Sequence, residues 1–147
     1  MSLLACQSKP SSEATTQPTD STGAKKPQSV AVLEKTVLAV HDSVMPAMSE
    51  LIKLKKEVIQ HLAELDKQPD SVERHQQKQQ GLAMKAALEE ADQVMMDWMH
   101  HYNGDTLAKL NRRQAMAYLK EEQKRVNAMN RLMRKSIIDA QAYLVLR

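Results

Sequence analysis

The chain has 147 residues, enough for one domain with a modest core. With three Gly, five Pro and no Phe, its composition favours helices over aromatic-packed sheets. A net charge of +3 on a chain that is 42% hydrophobic excludes overall disorder and a strongly basic nucleic-acid binder. No apolar run approaches the roughly 20 residues of a membrane-spanning helix.

Residues 1–28 differ in kind from the rest. After Cys6 they are polar and rich in Ser, Thr and Pro, which predicts a disordered, flexible tether. Ahead of the tether, Leu3-Leu4-Ala5-Cys6 resembles the end of a bacterial lipoprotein signal, in which a small residue precedes a Cys that receives lipid. The resemblance implies a membrane anchor on Cys6 and a location in the bacterial cell envelope, as an outer-membrane lipoprotein that faces the periplasm or the cell surface.

Met1-Ser2-Leu3-Leu4 is too short for the basic start and apolar stretch of a complete signal. We therefore expect that the signal is trimmed and that a short leader stands in its place. The alternative is a cytosolic protein with one incidental thiol. A single Cys also excludes a disulfide within the chain.

A seven-residue apolar repeat predicts a first long helix over about 30–66. The repeat consists of Val30, Val37, Val44, Leu51, Val58 and Leu65. The alternate positions, three residues after a member of the repeat, are Leu33, Val40, Ala47, Leu54 and His61. Pro46 interrupts the pattern but points outward in this register, so we expect a kink there.

A second helix is predicted over about 71–102, with Asp70 and Glu73 as a capping-box-like start and Asn103-Gly104 as its stop. Its first half is polar, contains Gly81 and should be loosely packed beside an exposed groove. Its second half has an inward stripe of Met84, Ala87, Leu88, Ala91, Val94, Met95 and Trp98.

A third helix is predicted over about 112–146, with Glu122 as an unusual inward acid. We expect Glu122 to pair with a Lys or Arg near the edge of the bundle; the alternative is that it lies at a thin place in the core. Its inward residues are Ala115, Tyr118, Leu119, Glu122, Val126, Met129, Leu132, Met133, Ser136, Ala140, Tyr143 and Leu144. Residues 29–147 thus form an all-α, up-down-up antiparallel three-helix bundle with coiled-coil-like packing.

The third helix is basic but lacks interleaved aromatic residues for stacking on bases. Its cations are expected to be spread around the helix as a solvated face, and we predict no nucleic-acid partner. They are Arg112, Arg113, Lys120, Lys124, Arg125, Arg131, Arg134 and Lys135.

Two motifs rich in Met and His stand out in residues 30–147. They are His41-Asp42-Ser43-Val44-Met45-Pro46-Ala47-Met48 and Met95-Met96-Asp97-Trp98-Met99-His100-His101-Tyr102. Together with the Leu-Leu-Ala-Cys lead-in, the chain resembles a group of small lipoproteins of Bacteroidota that carry the label "viral A-type inclusion protein". The label reflects heptad similarity to long coiled coils. The resemblance implies no activity, cofactor or catalytic residue.

In a hairpin that turns near Pro69, these motifs meet, with His41 at the level of Asp97. Thioether and imidazole groups together suit Cu(I), so a soft-metal site is one hypothesis. Its ligands would be His41, Met45, Met95, Met99 and His100. The alternative is that the methionines pack against Trp98 and the histidines are ordinary surface residues. Haem is disfavoured because no Cys-x-x-Cys-His motif is present, and no other cofactor is indicated.

Enzyme chemistry is not indicated. The paired carboxylates Glu89-Glu90 and Glu121-Glu122 occupy adjacent helix positions, which face different directions. No Glu has a His three residues later, as carboxylate-bridged iron sites require. The sequence therefore predicts a non-enzymatic, membrane-tethered helical module that binds a protein partner or itself, with envelope Cu(I) binding as the alternative.

Lipidation of Cys6 can be tested directly. When the sequence is expressed in a bacterium behind a complete lipoprotein signal, the mature protein should carry acyl mass on Cys6 and sediment with membranes. Cys6→Ser should abolish both. A wild-type protein recovered without acyl mass would contradict the prediction.

Overall fold

The structure, a computed structural model, describes residues 29–146. Its helices are α1 (Val30–Val44), α2 (Ala47–Leu65), α3 (Val72–His101), α4 (Gly104–Lys109) and α5 (Arg112–Val145). Helices α1 and α2 form two halves of one arm, α3 runs back along it and α5 returns. The predicted all-α three-helix bundle is confirmed, with α4 as an additional short helix. The predicted tether and Cys6 lie outside the described residues.

The seven-residue repeat of the first arm is the centre of the core. Its members Val37, Val44, Leu51, Val58 and Leu65 are each 0% exposed. Complete burial of one such side chain is worth about 1.5–3 kcal/mol. The repeat continues across the boundary between α1 and α2, so both halves of the arm present one apolar face to α3 and α5.

The structure divides the predicted first helix into α1 and α2 at Pro46. Pro46 has no N–H to donate, and α1 ends at Val44, after which Met45 N–H still donates to His41 O at 3.0 Å. Both Met45 and Pro46 keep right-handed helical dihedral angles, and Pro46 is exposed. The chain therefore loses hydrogen bonds at this point without leaving the helical conformation.

Two predicted helix boundaries are wrong in detail. Ser71 caps α3, because its extended backbone lets its side chain accept from Arg74 N–H at 3.1 Å, while the Asp70 carboxylate pairs with the Arg74 and His75 side chains. Gly104 does not stop α3. It lies in α4, and α3 ends because Tyr102 takes an extended conformation with ψ of 123°.

The direction of α5 follows from a small second core at one end of the bundle. There Leu33 of α1 packs with Leu107, Ala115 and Leu119. The start of α1 therefore lies beside the start of α5, and the two helices are parallel. All predicted inward residues of α5 are buried or half-buried.

Within residues 29–146, no helix combines the length and the apolar character that crossing a membrane requires.

Gly81 of α3 is buried because another helix occupies its side-chain position. A Cβ atom there would collide with the Tyr143 hydroxyl of α5 and would lie 2.8 Å from Leu62 Cδ2 of α2. The Tyr143 hydroxyl donates to Gln77 O at 3.0 Å. The first half of α3, expected to be loosely packed, is thus tightly packed at this one position.

Gly81→Ala tests this contact. An ordinary Gly→Ala change inside a helix stabilises by up to about 1 kcal/mol. Here overpacking and displacement of the Tyr143 hydroxyl should outweigh that gain, and the free energy of unfolding should fall by about 1–2 kcal/mol in urea titrations.

Gly81→Ala/Tyr143→Phe is the matched control, because it removes the colliding oxygen. It should cost less than the two single changes added together. A stabilised Gly81→Ala protein would contradict the packing.

Candidate functional site

The structure separates the five predicted metal ligands. The His41 ring stacks on Trp98 with 5.0 Å between centroids, one residue from the Asp97 level that the hairpin predicts. Met95 is fully buried in the main core and Met99 is half-buried against it. Met45, at 39% exposure, and His100 lie at the surface. Of the five, Met95 is therefore buried, His41 and Met99 are half-buried, and Met45 and His100 are exposed.

A chain of rings, here called the aromatic cluster, joins α1, α3 and α5. It consists of His41, Trp98, Tyr102 and Tyr118. Centroid distances are 5.1 Å from Trp98 to Tyr102 and 6.2 Å from Tyr102 to Tyr118. Stacked rings contribute beyond their buried area, so the cluster links the second half of α3 to the other two helices.

Hydrogen bonds fix the outer part of this cluster. The Tyr102 hydroxyl donates to Glu34 Oε1 at 3.1 Å, and Asn103 N–H donates to the Tyr118 oxygen at 3.0 Å. Burial, followed by the bond to the Glu34 carboxylate, raises the pKa of Tyr102 above its ordinary value. Tyr102 is thereby held as a neutral donor.

Glu122 of α5 is a buried acid, with 3% of its surface exposed. Its Oε1 accepts from Arg125 Nη1 at 3.3 Å, which confirms the predicted pairing with a cation. Its Oε2, like Trp98 Nε1 and His41 Nε2, is buried with no hydrogen-bond partner within residues 29–146. Buried polar atoms of this kind are uncommon in folded proteins.

A cleft of about 350 Å³ opens between α3 and α5 beside the aromatic cluster. We call it the Trp cleft. Its floor is apolar, while Asp97 stands on the α3 wall and Arg125 on the α5 wall. Its lining residues are Val94, Asp97, Trp98, His101, Arg125 and Ala128.

A second cleft of about 300 Å³, the Tyr cleft, lies at the opposite end of the bundle. It corresponds to the groove predicted beside the polar first half of α3. His61 is buried there, with its ring 5.5 Å from that of Tyr143. The lining residues are His61, Gln77, Gln80, Met84, Asp139, Ala142, Tyr143 and Leu146.

Both clefts lie on one surface, the seam between α3 and α5. Between them the Ser136 hydroxyl donates to Leu132 O of α5 at 2.8 Å and lies 3.2 Å from Ala87 O of α3, so the two helices are in close contact there. The lining residues of the two clefts are about 17 positions apart along α3, which corresponds to about 25 Å. The seam therefore carries two apolar depressions separated by a closed stretch.

No protein-family model, curated protein or solved structure matches the chain. Within residues 29–146, no group of three His, Cys, Asp or Glu side chains is placed to hold a metal ion. The resemblance to the Bacteroidota lipoproteins stays a prediction, and the functional argument depends on the fold, the clefts and the surface charges.

The raised pKa of Tyr102 predicts a specific loss of stability in alkali. Above about pH 10, Tyr102 ionises in the unfolded chain while the folded protein keeps it neutral, which favours unfolding until the folded pKa is passed. Tyr102→Phe should be less stable by about 1 kcal/mol near neutral pH, because the bond to Glu34 is lost. The variant should then lose less stability than wild type on going to about pH 11.

Urea unfolding of both proteins across this range measures the difference. The titration of lysines is common to both proteins and cancels in the comparison. If the free energy of unfolding of the two proteins fell equally with rising pH, the raised pKa of Tyr102 in the folded protein would be contradicted.

Proposed function

We propose that this protein is a non-enzymatic, lipid-tethered helical module of the bacterial cell envelope, and that the seam binds a helix of a partner protein. The observation that supports this is the presence of two apolar clefts on one surface of one rigid helix pair. Interfaces concentrate binding energy in such pockets, each of which takes a large side chain.

The spacing of the clefts suits an α-helix. Five helical turns contain about 18 residues and extend about 27 Å, close to the separation of the clefts. Two large apolar side chains five turns apart on a partner helix would face the same direction and enter both clefts. A partner in this position would make the three-helix bundle locally a four-helix bundle.

The charged walls of the Trp cleft can set the orientation of that partner. Asp97 on α3 accepts from Gln93 at 2.7 Å, and Arg125 on α5 pairs with Glu121 and Glu122. A cation on the partner helix would therefore be favoured beside Asp97 on α3, whereas Arg125 is already matched by two carboxylates of its own helix. A charge on one wall alone discriminates between the two directions of a docked helix more than it adds affinity.

The side chains of the region favour binding over catalysis. The described hydrogen bonds within residues 29–146 include no Ser or Thr hydroxyl paired with a His, which a nucleophile would need. Glu122 is engaged by Arg125, and His41 is covered by Trp98. These groups hold the helices in place.

Photo-crosslinking in the native envelope tests the proposal. Benzoylphenylalanine would replace Ala128 in the Trp cleft and Gln80 in the Tyr cleft, with exposed Ala39 and Ala63 of the first arm as controls. The two seam positions should give an adduct with the same protein, and the controls should give none.

An adduct with a second copy of the chain would show that the seam binds the protein itself rather than a helix of a different partner. Equal adducts from seam and control positions, or no adduct from the seam, would contradict the proposal.

Envelope Cu(I) binding is a second candidate, favoured by one observation. His41 Nε2 is buried without a hydrogen-bond partner in the described chain, while its Nδ1 lies 3.1 Å from Asp42 Oδ1. An imidazole oriented by a carboxylate on one nitrogen is a common arrangement of a metal ligand. Met95 and Met99 lie three positions before and one position after Trp98, whose ring covers His41; Met95 is buried and Met99 is half-buried.

A competition titration with a chromogenic Cu(I) chelator tests this candidate on the Cys6→Ser protein, which lacks the competing thiol. One equivalent should bind, and His41→Ala and Met99→Ala should each abolish binding, while exposed Met96→Ala retains it. Affinity no greater than that of the chelator would eliminate the metal site.

A further inference from the structure

The outer face of α5 carries six cations, which we call the basic face. They are Arg113, Lys120, Lys124, Arg131, Arg134 and Lys135, all exposed. At about 100° per residue they fall within an arc of about 100°. The expectation that the basic residues are spread around this helix is therefore wrong for six of the eight.

Within the described part of the chain, no other helix forms an ion pair with the basic face. Lys124 and Lys135 pair only with Glu121 and Asp139 of α5 itself. Arg113, Lys120 and Arg131 have no ion pair within residues 29–146. Like charges along one side of a helix repel one another, and an anionic surface would relieve that repulsion.

Apolar side chains continue the same face toward the end of α5. Ile138 is 62% exposed and Val145 is 81% exposed. A helix face that combines Lys and Arg with exposed aliphatic residues is typical of segments that lie on the surface of an anionic bilayer. By contrast, the aromatic rings that single-stranded nucleic acids stack upon all lie away from this face, in or against the core.

The position of the proposed anchor permits this contact. The start of α1 lies beside the start of α5, so the chain from Cys6 arrives at one end of the basic face. The 22 residues from Gln7 to Gln28 can extend to at most roughly 75 Å. The 34-residue α5 is about 51 Å long. The anchor chain is thus long enough for α5 to lie flat on the membrane.

We propose that the basic face of α5 docks on the anionic phospholipid head groups of the membrane that holds the lipid anchor. This inference rests on the proposed function, because the proposed lipid anchor is what brings the protein close to a membrane. The binding surface itself consists of residues of the folded chain. On α5 the seam borders one edge of the basic face, where Ala128 and Ala142 line the two clefts.

Vesicle co-sedimentation of the full chain, produced without lipid, tests the surface separately from the anchor. The probes are vesicles of phosphatidylglycerol and phosphatidylcholine in equal parts, and vesicles of phosphatidylcholine alone. The test variant is Arg113→Gln/Lys120→Gln/Arg131→Gln. The control is Lys35→Gln/Lys56→Gln/Lys67→Gln, which removes the same charge from exposed positions of the first arm and the turn after it.

Wild type and control should bind the anionic vesicles and release them as salt rises, and neither should bind phosphatidylcholine alone. The test variant should bind at least about tenfold more weakly. Absence of wild-type binding, or equal losses in both variants, would overturn the inference. Tighter binding to a DNA duplex than to the anionic vesicles would show that the ligand of the basic face is nucleic acid rather than lipid. Because no protein in the test carries lipid, a negative result would not bear on acylation of Cys6, which is measured separately.

Discussion

Burial of the seven-residue apolar repeat along α1 and α2 is the constraint on which the rest of the structure depends. Five of its members are completely removed from water, on both sides of the interruption at Pro46. Because the repeat keeps its register through that interruption, α1 and α2 present one continuous stripe, and α3 and α5 must both lie along it. This places the start of α1 beside the start of α5 and fixes which faces of α3 and α5 remain outside.

The two ends of the bundle are filled by different means. At the α1 end, aromatic rings and a buried Glu occupy the space between helices, and at the other end Tyr143 lies over Gly81. Large rigid rings do not fill a helical interface as evenly as Leu and Val do. The clefts on the seam lie beside these rings, at Trp98 and at Tyr143. The same residues that join the helices thus leave the two depressions that a partner could occupy.

Periodicity predicted the three long helices and nearly every inward residue, including His61 and Glu122. This was possible because the spacing of apolar residues along a helix determines which of its sides is buried. The caps were less predictable. Asp70 and Ser71 can both cap a helix, and the choice depends on backbone angles set by the turn. Likewise Gly104 begins α4 because neighbouring Asn103 caps it.

The Trp cleft and the contact of Tyr143 with Gly81 could not be predicted, since they join residues far apart in sequence. The basic face was available from the sequence, because Arg113, Lys120 and Arg131 recur at intervals of seven and eleven residues, which places them on one side of a helix. The metal hypothesis also shows the limit of spacing arguments. Periodicity predicts that Met45 shares a helix face with His41, but Met45 lies at the surface just after the end of α1.

The parallel arrangement of α1 and α5 decides at which end of α5 the proposed anchor would arrive and how the basic face and the seam lie relative to it. Double electron–electron resonance between spin labels tests it most directly, with labels at the exposed positions Lys35, Lys56 and Arg113. The Lys35–Arg113 distance should be shorter than the Lys56–Arg113 distance by about 20 Å, because the two lysines are 21 positions apart along the first arm. Equal distances, or the reverse order, would contradict the arrangement and with it the placement of the anchor, the basic face and the seam.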